Sequence, residues 1–427
     1  MPTTLSRGHF LAPSETVEHL LNQITRAPPA MLGFERRVVF QFMDGGEHLM
    51  VRVVLLFLLV LLLPMPVAEG QASRPTTKPT VFEDRLTSVL ERLGSDEFAG
   101  RSHTNIEKSR KLITEEFKRA GLVPVGPTMR QKFARSGLRG VNLVGLKSAK
   151  HKNRLPGHVI VSAHYDHLGS RGGKIYNGAC DNASGVAAMI DMASRLKPED
   201  LQRDVLFIAF DLEERGLLGS FAYAERPLIA LTECKFFVTM DMLGRKGLGV
   251  LDNQMFVEGW EWTPEVLPML QEESKRQELG FNFFWTDVSG DRSDFVAFRK
   301  KRIPHLFFSV GENKDYHSPQ DDVAKIDQEL LKRQARTISR VVARLANVEK
   351  PHAYRQVPDL NMIEFTSLKN MATLLATSSN ANVTKETRKQ AMILSSFADN
   401  VIRRGKVTSK DRGQLRRITG AMQKSFR

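Results

Sequence analysis

Five stretches of the chain place an acid or a histidine where it could take part in metal chemistry. VIVSAHYDHLG ends an apolar run with His164 and, two residues on, Asp166. NGACDNASG holds Asp181 in a tight Asn/Gly/Ser turn ahead of a helix. VLFIAFDLEERG follows an apolar run with the adjacent pair Glu213 and Glu214. FFVTMDMLGR closes on Asp241, between Met240 and Met242, and GENKDYHSPQDD carries His317 in a polar loop.

Taken singly, each has a plain structural explanation: a polar strand end, an N-cap or Asx-turn, two solvated glutamates, a surface turn, a capping loop. Taken together they form a donor set. Two divalent ions about 3.5–4 Å apart need a shared carboxylate and one or two nitrogen or oxygen ligands each. His164, Asp181, Glu214, Asp241 and His317 supply that set, with Asp181 suited to the bridge. Paired ions lower the pKa of water and polarise a carbonyl, which suits hydrolysis of a peptide bond. Adjacent side chains on an extended segment point apart, so Glu214 can bind metal while Glu213 faces the substrate water as general base. Asp166 can lie behind His164 and fix its tautomer. Nitrogen and oxygen donors without thiolate fit two zinc ions, with cobalt or manganese as substitutes.

The elements that must position these residues follow from hydrophobic periodicity. Helical spacing predicts helices over 82–93, 107–120, 185–196, 262–278 and 327–348, with a further helix after Gly219. Short β-branched and apolar runs predict strands over 141–146, 158–163, 205–210, 236–240 and 303–310. Alternating strands and helices imply an α/β fold: a three-layer α/β/α sandwich with a mostly parallel central sheet. In such sheets, sites lie beyond the carboxyl ends of the strands.

Composition is that of a globular protein, 41% hydrophobic and 26% charged over 427 residues. The net charge of +14 is uneven. Residues 351–427 hold 14 Lys and Arg against 5 Asp and Glu. No basic stretch is interleaved with aromatics, so no nucleic acid is expected, and a solvated, basic helical tail is the expectation for 351–427. Arg52 precedes the apolar run 53–63, after which small residues follow. That run is well short of the ~20 residues that span a bilayer, so it reads as a signal peptide. A secreted or periplasmic protein is expected, with membrane contact only if the leader stays as an uncleaved anchor. Its late position makes Met43 or Met50 candidate start residues. The expected organisation is a leader and linker over 1–80, a peptidase domain over 81–350 and the basic extension over 351–427. Two cysteines, Cys180 and Cys234, allow one bridge or two buried thiols.

The chain resembles the co-catalytic zinc exopeptidases of metallopeptidase family 28, particularly secreted bacterial aminopeptidases. The resemblance runs from about Val81 to about Val348. It is carried by FAGR at 98–101, AGLVPVG at 120–126, AHYDHLG, NGACDNASG, DLEERGLLGS, MDMLGR and YHSPQDD. It implies a zinc-exopeptidase (phosphorylase/hydrolase-like) fold acting on peptides or proteins. It also implies that His164 and Asp241 hold one zinc, Glu214 and His317 the other, and that Asp181 bridges them. Glu213 would take a proton from the bridging water and pass it to the leaving amine. Tyr316 matches a tyrosine that helps bind or polarise substrate. There are departures: Phe295 follows Ser293-Asp294 where many relatives have histidine, Cys180 stands beside Asp181, and SHTNIEK after Arg101 lacks the usual glycines. The same fold also serves glutaminyl-peptide cyclotransferases, carboxypeptidases and non-catalytic binding proteins. Retention of both His164 and Asp241 argues against the cyclotransferase, and retention of all ligands and the glutamate base against a non-catalytic protein; the carboxypeptidase shares the metal core, and the sequence does not show which terminus is recognised.

Overall fold

The computed structural model describes residues 81–425, apart from 248, 277–278, 287–289 and 360. The leader, its apolar run and the linker lie outside the described residues. Two N-terminal helices, α1 (Val81–Leu93) and α2 (Glu107–Arg119), precede the strands β1 (Arg130–Arg135), β2 (Leu138–Lys147) and β3 (His158–His164). A small hairpin, β4 (Gly169–Arg171) and β5 (Lys174–Tyr176), leads into α3 (Gly185–Arg195). Then come β6 (Asp204–Phe210), α4 (Leu218–Glu225), β7 (Cys234–Met240), β8 (Gln254–Glu258), α5 (Leu267–Arg276), β9 (Gly280–Phe283), α6 (Phe295–Arg299), β10 (His305–Ser309) and α7 (Gln328–Asn347). Three C-terminal helices follow: α8 (Ile363–Thr377), α9 (Lys385–Arg404) and α10 (Ser409–Ser425).

The eight-stranded sheet runs β1-β2-β6-β3-β7-β10-β8-β9. The pairs β6–β3, β3–β7, β7–β10 and β8–β9 are parallel, while β1–β2, β2–β6 and β10–β8 are antiparallel. Period-2 alternation splits its side chains between two faces. Val159, Val161, Phe207 and Ala209 pack under α1, α3 and α7, in one core cluster with Leu90, Met189 and Ile338. Ile160, Leu206, Ile208 and Phe210 face the other way, against Tyr223 of α4 and Phe298 of α6. Both faces are covered, so β3 and β6 read as nearly unbroken apolar runs rather than alternating ones. The three-layer sandwich with a mostly parallel sheet is as expected.

The differences lie at the edges. The expected helix over 262–278 is broken. Trp260–Trp262 and Pro264–Val266 form short 3-10 turns, and the α-helix begins only at Leu267. Thr263, ahead of Pro264, takes φ −150° and ψ 59°, outside the helical region that a residue before proline avoids. Strands β1, β8 and β9 carry Arg, Lys, Gln or Asn among their apolar residues and lacked a strand signature. From Ile363 to Ser425 the C-terminal region is mostly helical, but it is not a solvated tail. Phe365, Leu368, Leu375, Leu394, Phe397 and Leu415 build a core of their own with Leu251 and Phe284. Cys180 and Cys234 are both free and buried.

Candidate metal centre

Parallel neighbours β6, β3 and β7 bring three strand ends side by side. His164 ends β3. Asp241 follows β7 directly, and its backbone N–H donates to Phe308 of β10. Glu213 and Glu214 occupy a 3-10 turn shortly after β6. Asp181 arrives from the turn before α3, and His317 from the loop after β10. All five expected ligands meet here. His164 Nε2 lies 3.2 Å from Asp181 Oδ1 and 3.3 Å from Asp241 Oδ1. His317 Nε2 lies 3.2 Å from Asp181 Oδ2 and 3.1 Å from Glu214 Oε2. The two oxygens of Asp181 thus face two different imidazoles, as a bridging carboxylate must. Two groups have donor atoms close enough for one ion each: His164 with Glu213 and Asp241, and His167 with Asp181 and Glu214. Tyr316 stacks on His317 with ring centroids 3.8 Å apart.

His167 was not singled out in the sequence, although it lies in the same AHYDHLG stretch. Its Nδ1 is 2.7 Å from Glu214 Oε1. Asp166 departs in detail from its expected place behind His164. Its carboxylate is 3.6 Å from His164 Nδ1, beyond hydrogen-bond range. It accepts instead from the backbone N–H groups of Glu213 at 3.0 Å and Glu214 at 3.2 Å. Asp166 therefore fixes the turn that presents both glutamates.

Three further buried residues hold the site and left no independent signal in sequence. Asp321 accepts from the N–H groups of Cys180 and Asp181. Ser293 Oγ donates to Asp241 Oδ2 at 2.9 Å. Arg101, with no exposed surface, donates to the carbonyls of Leu93, Tyr165, Asn177, Gly178 and Asp181. Gly178 has φ +57°, and a Cβ there would lie 2.2 Å from the Asp181 carbonyl. Leu212 (φ 55°), Met242 (φ 61°) and His317 (φ 52°) all take the left-handed conformation that side chains resist. Each sits in or beside the ligand set, where about 1–3 kcal/mol of local strain is commonly stored for function.

The electrostatics of the cluster suit divalent cations. Asp166, Asp181, Glu213, Glu214 and Asp241 crowd one largely buried space, and like charges so placed are costly unless countered. Burial, reinforced by Asp241, Asp294 and Glu214, pushes the Glu213 carboxyl well above its usual range, against the pull of His164. Burial works against protonation of His317, but its hydrogen bonds with Asp181 and Glu214 carry it up to about 10. Nitrogen and oxygen donors on two facing imidazoles and a shared carboxylate fit divalent ions of the zinc type. Asp181, Glu213 and Asp241 open onto a cleft of about 720 Å³, which Met242, Phe256, Phe307 and Tyr316 also line.

A stretch of 228 residues is 29% identical to Aminopeptidase YwaD of Bacillus subtilis, covering 49% of this chain and 45% of that protein. The chain thus spans less than half the length of that curated relative. In fold it matches the LapA aminopeptidase of Legionella pneumophila, with a TM-score of 0.50 and 20% identity over 63% of this chain and 73% of that one. It also matches the glutaminyl cyclase of Porphyromonas gingivalis, with a TM-score of 0.50 and 18% identity over 61% of this chain and 98% of that one. Residues 142–342, which hold every candidate ligand, match the family described as Peptidase family M28, and the chain carries a domain of that peptidase family.

Proposed function

We propose that the chain is a metal-dependent exopeptidase, an aminopeptidase that removes amino-terminal residues from peptides. The observation that carries this reading is the Glu213–Glu214 turn. One glutamate enters the imidazole–carboxylate cluster beside His317, and its neighbour lines the cleft. His164, Asp181 and Asp241 would hold one zinc ion, and Asp181, Glu214 and His317 the second. His167 would support Glu214. When bound, the ions supply Lewis acidity at the scissile carbonyl and a lowered pKa for water.

The chain's own groups do the rest. Glu213 accepts a proton from the attacking water and delivers it to the departing amine, so that no charged amide nitrogen has to leave. Asp166 holds the Glu213 backbone, so the carboxylate does not swing away as it changes protonation state. Tyr316, held against His317, contributes to substrate placement at the cleft wall. A signal peptide with its apolar core over 53–63 would export the protein, and the amino-terminal sequence of the mature chain tests that.

The experiment for the main reading is a zinc count coupled to a panel of free-amino, amino-blocked and carboxyl-blocked peptides. Two zinc ions per chain and cleavage of free-amino substrates alone support it. Cleavage that requires a free carboxylate would make the enzyme a carboxypeptidase. One zinc ion with cyclisation of amino-terminal glutamine would make it a cyclotransferase.

A further inference from the structure

The cleft at the metal centre is polarised in charge. Asp181, Glu213, Asp241 and Glu258 line its acidic part, and Leu368 and Met371 of α8 with Leu394 of α9 form an apolar far wall. Arg245, Lys246, Arg292 and Lys314 line it as well. Three of these bases, Arg245, Lys246 and Lys314, also line an outer hollow of about 500 Å³, together with Lys325. They form the rim that the cleft and the hollow share. Four of the five bases are neutralised. Asp315 takes both Arg245 and Lys325, Asp327 takes Lys246 and Glu312 takes Arg292. Lys314 is exposed and, among the described residues, has no ionic partner. Its place is nevertheless fixed. The Tyr316 N–H donates to the Asn313 carbonyl at 3.0 Å, which closes a turn with Lys314 at its corner. Asn313 Oδ1 accepts from the Asp315 N–H at 3.0 Å and from Arg245 at 3.2 Å. The turn is thus clamped on both sides of Lys314, three residues before the candidate ligand His317.

We propose that Lys314 anchors a substrate carboxylate beyond the cleaved bond, so that the protein prefers peptides with negative charge on the leaving side. This rests on the aminopeptidase reading above. The acidic part of the cleft suits the substrate's ammonium, and the leaving chain then runs outward past the basic rim. The turn that presents the Lys314 ammonium is the one that delivers Tyr316 and His317, so the anchor and the metal centre keep a fixed separation. At about 3.5 Å per residue, the second or third residue of a peptide reaches from the metal centre to a side chain three residues away along the loop. The carboxylate has two sources: the free terminus of a di- or tripeptide, or an acidic side chain at the second or third position of a longer peptide. Either offers the same acceptor to an ammonium with three donors. A hydrogen bond to a charged group is worth about tenfold in binding. It is made equally in the ground and transition states, so its loss raises KM and leaves kcat in place. Salt screens it, because the rim is exposed.

The test uses the full-length zinc-loaded protein at low ionic strength. Its substrates are Leu-Ala, Leu-Ala-amide, Leu-Glu-Ala-amide, Leu-Gln-Ala-amide and leucine p-nitroanilide. The parent is expected to prefer an acidic member of a pair by about tenfold in kcat/KM. Preference for Leu-Ala over its amide identifies the terminal carboxylate as the group bound, and preference for Leu-Glu-Ala-amide over Leu-Gln-Ala-amide identifies the side chain. Lys314→Met should bring that ratio to within twofold of unity through a raised KM. It should leave leucine p-nitroanilide, which has no carboxylate, within twofold of the parent. Lys314→Arg should keep most of the preference, and high salt should erode it in the parent. Zinc content and Tm equal to those of the parent certify that the variants are folded, and Lys314→Gln replaces Lys314→Met if the latter fails that control. No preference in the parent, an unchanged preference in Lys314→Met, or an equal fall on all five substrates would overturn the anchor while leaving the aminopeptidase standing. A parent that turns over none of the five removes the aminopeptidase reading, and the anchor's place in it.

Discussion

Replacing Arg101 by methionine should unfold the metal centre from behind. The side chain is fully buried and its forked guanidinium binds five backbone carbonyls, at Leu93, Tyr165, Asn177, Gly178 and Asp181. Burial lowers its pKa to about 10, with Asp181 and Asp321 pulling the other way, so it stays charged at neutral pH. Methionine fills much of the stem's volume but donates nothing. At about 1 kcal/mol net for each lost bond, the five together cost about 5 kcal/mol, less whatever water recovers. That is comparable to the whole stability of a marginal domain, about 5–15 kcal/mol. Three of the five carbonyls belong to the turn that carries Asp181, so zinc affinity should fall together with stability. The assay is urea unfolding with an unchanged m-value, read beside zinc content after gel filtration. Arg101→Lys should recover only part of the loss, because an ammonium has three donors and no fork. A loss below about 1 kcal/mol with full zinc retention would refute the reasoning, since it would mean that the carbonyls are satisfied without the guanidinium.

Four other outcomes are expected. Glu213→Gln should keep its zinc and lose about 10²- to 10⁴-fold in kcat, since it removes the proton carrier without touching the other donors; parental kcat would sink the assignment. His164→Ala should lower metal content and activity in step, and unchanged zinc stoichiometry would show that it is no ligand. Chelation should abolish turnover and lower Tm, with both restored by zinc, because the clustered carboxylates lose their counter-charge; a Tm indifferent to chelation would contradict this. Burial holds His305 down at about 4, despite its hydrogen bond to Ile303. The unfolded chain, with an imidazole near 6.5, then binds the extra proton between those values, so stability is complete above pH 6.5 and falls by about 3 kcal/mol as the pH drops to 4. His305→Phe should lack that increment in denaturant titrations across the window, and parallel pH profiles would disprove it.

Much of the site could be read from the chain because its donors follow the most apolar runs. VIVSA, VLFIAF and FFVTM are strands covered on both faces, and a carboxylate or imidazole at the end of such a run stands out. The edges of the sheet were harder. RQKFAR in β1 and GFNF in β9 mix polar and apolar residues because each has one neighbour strand or a covering helix instead of two full faces. Arg101, Asp321, Ser293 and His167 were within stretches already noted, yet nothing in their spacing marked them. Arg101 binds backbone carbonyls, and such partners leave no trace in side-chain pattern.

The sequence alone determined which donors exist, that they are nitrogen and oxygen rather than thiolate, and that they follow strands of an α/β fold. Only the tertiary structure decided which of them meet. The sheet order β6-β3-β7 is not the chain order, so Glu214, His164 and Asp241 become neighbours through pairing of parallel strands rather than through proximity in sequence. The same holds for the cleft's far wall. Residues 351–427 read as a basic helical tail from their net charge, whereas the apolar face of their helices is defined by the sheet edge it covers.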